Sequence, residues 1–389
     1  MADYIPHMTS DDGGQLVKAH YSDAAVVRVP LDNTSKLMSF VPKASRLWID
    51  PCIEGCDDIG TREKSSWFTF MKLFTNFQKI GEPSFQEKPV QKEVDAFVNA
   101  LLTECLTHKP AWITVPQLPV CDGNERNKVN RALALATGKW KASHGFSGHM
   151  ILPLVFTHQR QVNSKTNRKP KVQLAERCYQ DAQADGLWVV DKSIVDDNGS
   201  PTLRNKRFPG ILAVHEELNE RIESRLRVAG PYWGLNLVLW AKGLVDHPLI
   251  GVGAGYQFFM SGGHARHPKT KIAIPSLRRR VTVSPALAKW LEAAMSKLGI
   301  AHPMHAELSD LRKRFTVLND RANARAQVAE FYKSWFGKIA SVPKAGRSMA
   351  LFQDLSAAYA LGKSLPAFED EGTARRPEAI AESLMLSCL

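Results

Sequence analysis

An α/β fold, with a (β/α)8-barrel-like core and a helical C-terminal region after it, is what this sequence predicts. Three observations carry that reading. From about residue 41, short β-branched or aromatic runs alternate with longer helical stretches, the rhythm of βα units and a largely parallel sheet. Most of these runs are apolar over several consecutive residues, as strands covered on both faces are. Six runs stand out, and the count reaches seven or eight if AAVVRVPL (24–31) and KIAIPSL (271–277) join, close to the number that closes a barrel. An open doubly wound parallel sheet is the alternative, because the rhythm alone does not say whether the sheet closes.

Residues 1–40 read as a lead-in segment with one β-like run. The strands of a barrel domain over 41–283 are then RLWIDP (46–51), AWITVPQLP (111–119), HMILPLVFTH (149–158), GLWVVDKSIV (186–195), RVAGPYWG (227–234) and PLIGVGAGY (248–256), bounded by Pro, Gly or Asp. Between the first two, Val94, Phe97, Val98, Leu101 and Leu102 recur at helical spacing, and 127–140, 172–184 and 214–226 repeat the pattern. GLNLVLWAKGL (234–244) fits a buried helix or a continued strand. In the helical region 284–365, Ser284-Pro285 has the N-cap and first-turn residues of a helix, with Leu287, Trp290, Leu291, Ala294 and Leu298 on one face. A longer helix is predicted from about Ala306 to Ile339, and another ends at Gly362. From Pro366 to 389 the chain reads as a polar, loose tail.

The chain has 389 residues and a formal net charge of +12, which favours acidic partners: nucleic acid before all, or an anionic surface. With 44% hydrophobic residues over this length, a core needs no disulfide or metal. The six cysteines are scattered, as in a reducing compartment. Cys52 and Cys56 form a lone C-x3-C with no second ligand pair, so no metal is assigned and two small apolar thiols are expected. The first residues lack a basic start followed by an apolar run, and no stretch is long and apolar enough to span a bilayer; a cytoplasmic protein without membrane contact is expected.

In both parallel architectures function gathers at the C-terminal ends of strands. The first strand ends at Asp50, with Glu54, Asp57 and Asp58 behind it, carboxylates able to bind a cation or do acid–base work. Gln117 ends the second. The loop Asp122–Arg131, rich in Asn and Arg, suits phosphate or amide recognition. The third leads to His158 and Arg160 and then to SKTNRKPK, where Arg168 and Lys169 form a basic run. The fourth ends in Asp191-Lys192, and Lys192 is a Schiff-base or phosphate-holding candidate. His215-Glu216-Glu217 starts like a zinc HExxH sequence, but Asn219 stands where the second His is required. In GPYWGLN (230–236), Tyr232 and Trp233 offer flat faces for a base or sugar and Asn236 a hydrogen bond; core packing explains them equally. GVGAGYQ lacks the spacing of a dinucleotide fingerprint, yet Gly253, Gly255, Tyr256 and Gln257 suit phosphate contact. Arg278, Arg279 and Arg280, with Arg312 and Arg314 further on, form a positive field suited to a nucleic-acid backbone.

The order of RVAGPYWG and PLIGVGAGY, with a Gly-rich strand end and then a G-V-G stretch, resembles the late barrel strands of the tRNA-guanine transglycosylase family and its DNA-modifying relatives. WIDPCIEGCDD resembles the strand–Asp–Pro opening of the DNA-directed branch. The likeness covers about 60 residues. The family's Asp-Ser-Gly-Gly-Phe-Gln substrate motif and its C-x-C-x-x-C zinc cluster are absent, and nothing is carried to Ser10-Asp11-Asp12-Gly13-Gly14-Gln15. What the resemblance implies is a barrel fold; an analogy at that level licenses no reaction. The leading expectation is a nucleic-acid- or nucleotide-directed enzyme, base-modifying or transglycosylase-like. Asp50 and Asp191 are its carboxylates, Lys192 and the three consecutive arginines its anion holders, and Tyr232 with Trp233 its stacking wall. A non-catalytic nucleic-acid-binding subunit of a larger assembly, and a lyase or aldolase using Lys192, are the other readings; the cofactor is left unassigned.

Overall fold

Eight parallel strands close into a barrel in the order β1 to β8: Ile5–His7, Val26–Pro30, Arg46–Asp50, Trp112–Thr114, His149–Phe156, Gly186–Asp191, Leu226–Ala229 and His247–Gly251. The computed structural model describes residues 2–56, 63–122, 125–194, 203–252, 269–370 and 373–389. Closure runs through β1, whose Ile5, Pro6 and His7 pair with Leu249, Ile250 and Gly251 of β8, so no edge is left in the sheet. The open-sheet alternative is thereby set aside.

The six strands read from the sequence are β3 to β8, and AAVVRVPL supplies β2. The first strand, Ile5–His7, sits in a run too short to announce itself, so the lead-in of 1–40 is in fact the first quarter of the barrel. KIAIPSL does not join the barrel: Lys271–Ile274 (β9) pairs antiparallel with Arg279–Thr282 (β10).

The chain divides into two compact units. The first, Met1–Val195 with Pro209–Tyr232 and Leu244–Arg266, holds the barrel and the helices Gln91–Thr107, Glu125–His144 and Lys165–Asp181. Its lumen is packed with aromatic side chains. Trp48 pairs in register with Trp112, their rings 5.7 Å apart, and Trp48 meets Trp188 edge-on at 5.8 Å. The Trp48 indole N–H donates to Thr114 Oγ1 at 2.9 Å and that of Trp188 to the Gly230 carbonyl at 2.7 Å, which meets the polar demand of two buried rings.

The second unit comprises Asp196–Phe208, Trp233–Gly243 and His267–Leu389. GLNLVLWAKGL forms the buried helix Leu235–Ala241. The barrel domain therefore does not run on to residue 283: Trp233–Gly243 and the β9–β10 hairpin belong to the second unit. Its core gathers Ile272, Ile274, Leu287, Trp290, Leu308 and Phe368. Ser284 caps the helix Pro285–Leu298 by accepting from the Leu287 N–H at 3.2 Å, as its sequence predicts. The long helix expected from Ala306 to Ile339 is instead Pro303–Lys313, a turn at Phe315–Leu318, and Arg321–Ala340. Asp320 starts the last of these by accepting from the Asn323 N–H. The tail is not loose. Phe368–Asp370 (β11) pairs with Thr373–Arg375 (β12), and the helix Ala379–Cys388 buries Ile380, Ala381 and Leu384. Polar composition concealed an apolar stripe at four-residue spacing.

Candidate active site

The C-terminal ends of β1, β2 and β3 bring an unexpected set of side chains together. His7 ends β1, Arg28 lies opposite it in register on β2, and Asp50 ends β3. All three are buried. Arg28 carries its guanidinium across the lumen, 4.2 Å from the Trp188 ring and 5.6 Å from Trp48. There it forms an ion pair with Asp50 and a short hydrogen bond with Nε2 of His7. A guanidinium only donates, so that ring nitrogen accepts and His7 is neutral. Burial, and then the charge of Arg28, hold the His7 pKa well below that of a free imidazole. Burial also lowers Arg28 to about 10, with Cys52 and Glu54 acting in the opposite sense.

After β3 the chain turns sharply. Cys52 adopts a left-handed backbone (φ 58°), unusual for a residue with a side chain, and its N–H donates to Asp50 Oδ1 at 3.0 Å. The turn folds Asp50, Cys52 and Glu54 back on themselves, so that their ligand-type atoms all lie within 4.8 Å of one another. These residues have the donor types to hold a metal ion. Arg28 nevertheless already stands among them as counter-charge, since both Cys52 and Glu54 act on it. A divalent ion here has to displace the guanidinium.

One small cavity opens beside this cluster, walled by Asp50, Cys52, Glu54, Thr114, Gln117 and Trp188. Its free volume of about 10 Å³ is room for a single water-sized body. Gln117 is held there because its amide donates to the Asn130 carbonyl at 2.9 Å, while Asn130 makes a reciprocal pair with the Leu118 backbone at 2.8 and 3.0 Å. Asp32, in the turn after β2, is half-buried. Burial, with a smaller push from Glu54, raises its pKa from 3.8 to about 6. The same end of the barrel thus holds a carboxylate opposed to a guanidinium and a carboxyl with a raised pKa, environments that push two carboxyl groups apart in proton affinity.

Asp191 is buried at the end of β6 but does not line this cavity. Its Oδ1 accepts from the Ser193 N–H at 2.8 Å and from the Ser193 hydroxyl, and its own N–H donates to the Tyr232 hydroxyl oxygen at 2.6 Å. Tyr232 is engaged and 1% exposed, and burial, with Asp191, raises its pKa well above the usual phenol value. It presents no open stacking face. Trp233 is equally buried, among Phe331, Tyr332 and Trp335, with its indole N–H on the Arg278 carbonyl. Asn236 is buried in the second unit, accepting from the Tyr332 hydroxyl and the Leu237 N–H. Core packing, the other sense of GPYWGLN, is what these three residues do. Lys192 is exposed, which removes the desolvation a Schiff-base lysine needs.

The basic residues are divided. Arg278 pairs with Asp354 at 2.6 Å, Arg279 donates to the Arg376 and Pro377 carbonyls at 2.8 and 3.2 Å, and Arg280 lies 5.2 Å from the Trp233 ring. Arg279 and Arg280 are 1% and 5% exposed, so this run ties the second unit together and is no solvent-facing field. Arg312 and Arg314 are exposed and paired with Glu292 and Asp310. Arg168 is tied to Glu217 at 2.8 Å, whereas His158, Arg160 and Lys169 are exposed. Gly253, Gly255, Tyr256 and Gln257, like Asp57 and Asp58, lie outside the described residues.

Sequence reasoning missed His7, Arg28 and Asp32 because it left β1 and β2 out of the barrel. One signal was present: a lone Arg inside the apolar run Val26-Val27-Arg28-Val29 marks a charge in a strand interior, rarely tolerated without a partner. No protein-family model and no curated protein matches the chain.

Proposed function

We propose that this chain is a nucleic-acid- or nucleotide-directed barrel enzyme acting at the bond between base and sugar. The observation that carries the reading is that Asp32 follows β2 and Asp50 ends β3 at the same end of the barrel, Pro30 lying opposite Asp50 in register; burial raises the Asp32 pKa to about 6, and Asp50 is opposed to Arg28. Cleaving an N-glycosidic bond asks for both groups: a proton for the departing base nitrogen and a negative charge facing the electron-poor anomeric carbon. In this reading Asp32 gives its proton to the base as the carbon–nitrogen bond breaks. The acceptor adds to the anomeric carbon and leaves its proton on a carboxylate of the Asp50–Glu54 pair. Water is the acceptor that the cavity's size favours; a second base in that role gives transglycosylase-like exchange. Arg28 and His7 position Asp50, and the charge of +12 draws a polyanionic substrate.

The test is to incubate the full chain with DNA and RNA oligonucleotides and with free nucleotides, and to follow released or exchanged base by mass spectrometry. Release that is lost in both Asp32→Asn and Asp50→Asn, and that declines above about pH 6 as Asp32 loses its proton, is the expected result. No release from any of these substrates, or release unaffected by either variant, overturns the reading. One observation favours a non-catalytic nucleic-acid-binding subunit instead: among the described residues, the cavity beside Asp50 has space for one water-sized body. Salt-dependent oligonucleotide binding without base release identifies that case.

A further inference from the structure

On the outside of the first unit, the helices Gln91–Thr107, Glu125–His144 and Lys165–Asp181, which follow β3, β4 and β5, enclose a surface groove of about 560 Å³, a volume typical of ligand sites. Its composition is selective. Three cations line it, Lys128, Arg131 and Arg177, with three amides, Gln91, Asn127 and Gln173; no carboxylate is among its lining residues. Exposed Leu135 and buried Leu174 contribute apolar surface. Arg131 shares its charge with Asp181 at 3.2 Å. Lys128 and Arg177 are exposed and have no carboxylate partner among the described residues.

Helical spacing makes the groove a track. Lys128, Arg131 and Leu135 follow one another at three- and four-residue steps along one bank, and Pro170, Gln173 and Arg177 at three- and four-residue steps along the other. Pro170 to Arg177 spans about 10 Å at the rise of an α-helix. Gln91 and Asn127 stand in the first turns of their helices, and helices of a βα barrel begin at the end where the strands finish. The groove therefore starts on the side of the mouth, outside β3 to β5, three of the four strands that wall the small cavity.

The geometry points to this groove as a binding track for a single nucleic-acid strand. Lys128, Arg131 and Arg177 contact phosphates, Asn127 and Gln173 face sugar or base edges, and the leucines take the apolar faces. The inference rests on the nucleic-acid reading above and adds a surface which that reading does not require. Gln91 already donates to Asp95 Oδ1 and the Ala132 carbonyl, so the cations and the apolar surface carry the assignment: a nucleic-acid strand meets both, with phosphates and base faces, whereas a carboxylate-rich polypeptide meets only the cations.

The experiment is fluorescence anisotropy of labelled single-stranded DNA and RNA on the full chain over a salt series, with poly-glutamate as a second probe. For single strands each phosphate contact contributes about 0.7 to the slope of log affinity against log salt. The variant Lys128→Gln/Arg177→Gln is expected to bind more weakly, with a slope smaller by about 1.4. The control Lys289→Gln/Lys297→Gln, at exposed positions of the second unit, keeps the parental slope. Parental binding with a slope unchanged by the groove variant overturns the groove and leaves the nucleic-acid reading intact. No oligonucleotide binding by the parent even at low salt removes both. Poly-glutamate binding that depends on Lys128 and Arg177, beside oligonucleotide binding that does not, overturns the assignment in favour of an acidic protein partner.

Discussion

Arg28 sits where a charge is hardest to hold, and its removal gives a quantitative test of how the mouth is organised. The guanidinium is fully buried, its counter-charge Asp50 is 2% exposed, and its other neighbours are His7 and the faces of Trp188 and Trp48. Arg28→Met keeps the length of the side chain and its packing on the two indoles but strands Asp50, whose remaining contact from the Cys52 N–H does not neutralise it. Breaking a buried pair in this way costs about 3–5 kcal/mol. Asp50→Asn strands the guanidinium instead, but Arg28 keeps His7 and the two aromatic faces, the latter worth about 0.5–2 kcal/mol. A smaller cost of about 2–3 kcal/mol follows for that variant. With both charges gone, the double variant loses chiefly the cation–π contacts and a hydrogen bond, about 1–3 kcal/mol. The two single effects therefore exceed the double by about 2 kcal/mol or more, a coupling far above that of independent sites. Urea unfolding followed by tryptophan fluorescence measures it, since Trp48 and Trp188 lie in contact with the pair. If Arg28→Met does not accumulate folded, the double variant is still expected to. Single effects that add to within about 0.5 kcal/mol would show that the ion pair does not organise the mouth.

Asp32→Asn tests the raised carboxyl through stability. A carboxyl whose pKa is higher folded than unfolded loses stability as pH rises, here between about 4 and 6, by about 3 kcal/mol in all. The variant should be more stable than the parent at pH 7 and gain nothing near pH 4; equal melting temperatures at pH 7 count against a burial-raised Asp32. His215 is buried on the helix Phe208–Arg221, and burial, with Arg227, holds its pKa at about 3. A lowered histidine stabilises the fold above the unfolded value near 6.5 and loses that contribution as pH falls, so His215→Leu should flatten the loss of stability between pH 6.5 and 3 in acid titrations followed by circular dichroism. Tyr232→Phe removes the acceptor of the Asp191 N–H and should cost about 1–3 kcal/mol in urea titrations. Arg280→Gln is expected to lower the melting temperature by several degrees, while oligonucleotide affinity per folded molecule stays at the parental value; weakened binding with unchanged melting would return that arginine to the surface.

The barrel was legible because its signal is local and repeated. Each of β3 to β8 is a run of apolar residues closed by Pro, Gly or Asp, and each pair is separated by enough chain to cross over. Ser284-Pro285 was legible for the same reason, since capping involves residues three apart. β1 was not: three residues are long enough to hydrogen-bond to Leu249–Gly251 but too short to show a period, and the energy that fixes them comes from a strand more than 240 residues away. The final helix failed for a related reason, its stripe of Ile380 and Leu384 reading as incidental until a core received it. Of the candidate site, Asp50 and Gln117 could be found by the rule that function gathers at strand ends. His7, Arg28 and Asp32 could not until the first two strands were placed.

By itself the sequence determined the class of fold, the positions of most strands and the net positive charge, all properties summed over neighbouring residues or over the whole chain. Only the tertiary structure decided which charges face solvent. Arg278, Arg279 and Arg280 look like a basic patch and are internal ties; Lys128 and Arg177, 49 positions apart and unremarkable singly, line one groove. The proton affinities of His7 and Asp32 were decided in the same way, because they depend on what water is excluded and which charge stands opposite, and both are set by chain segments that meet only when the barrel closes.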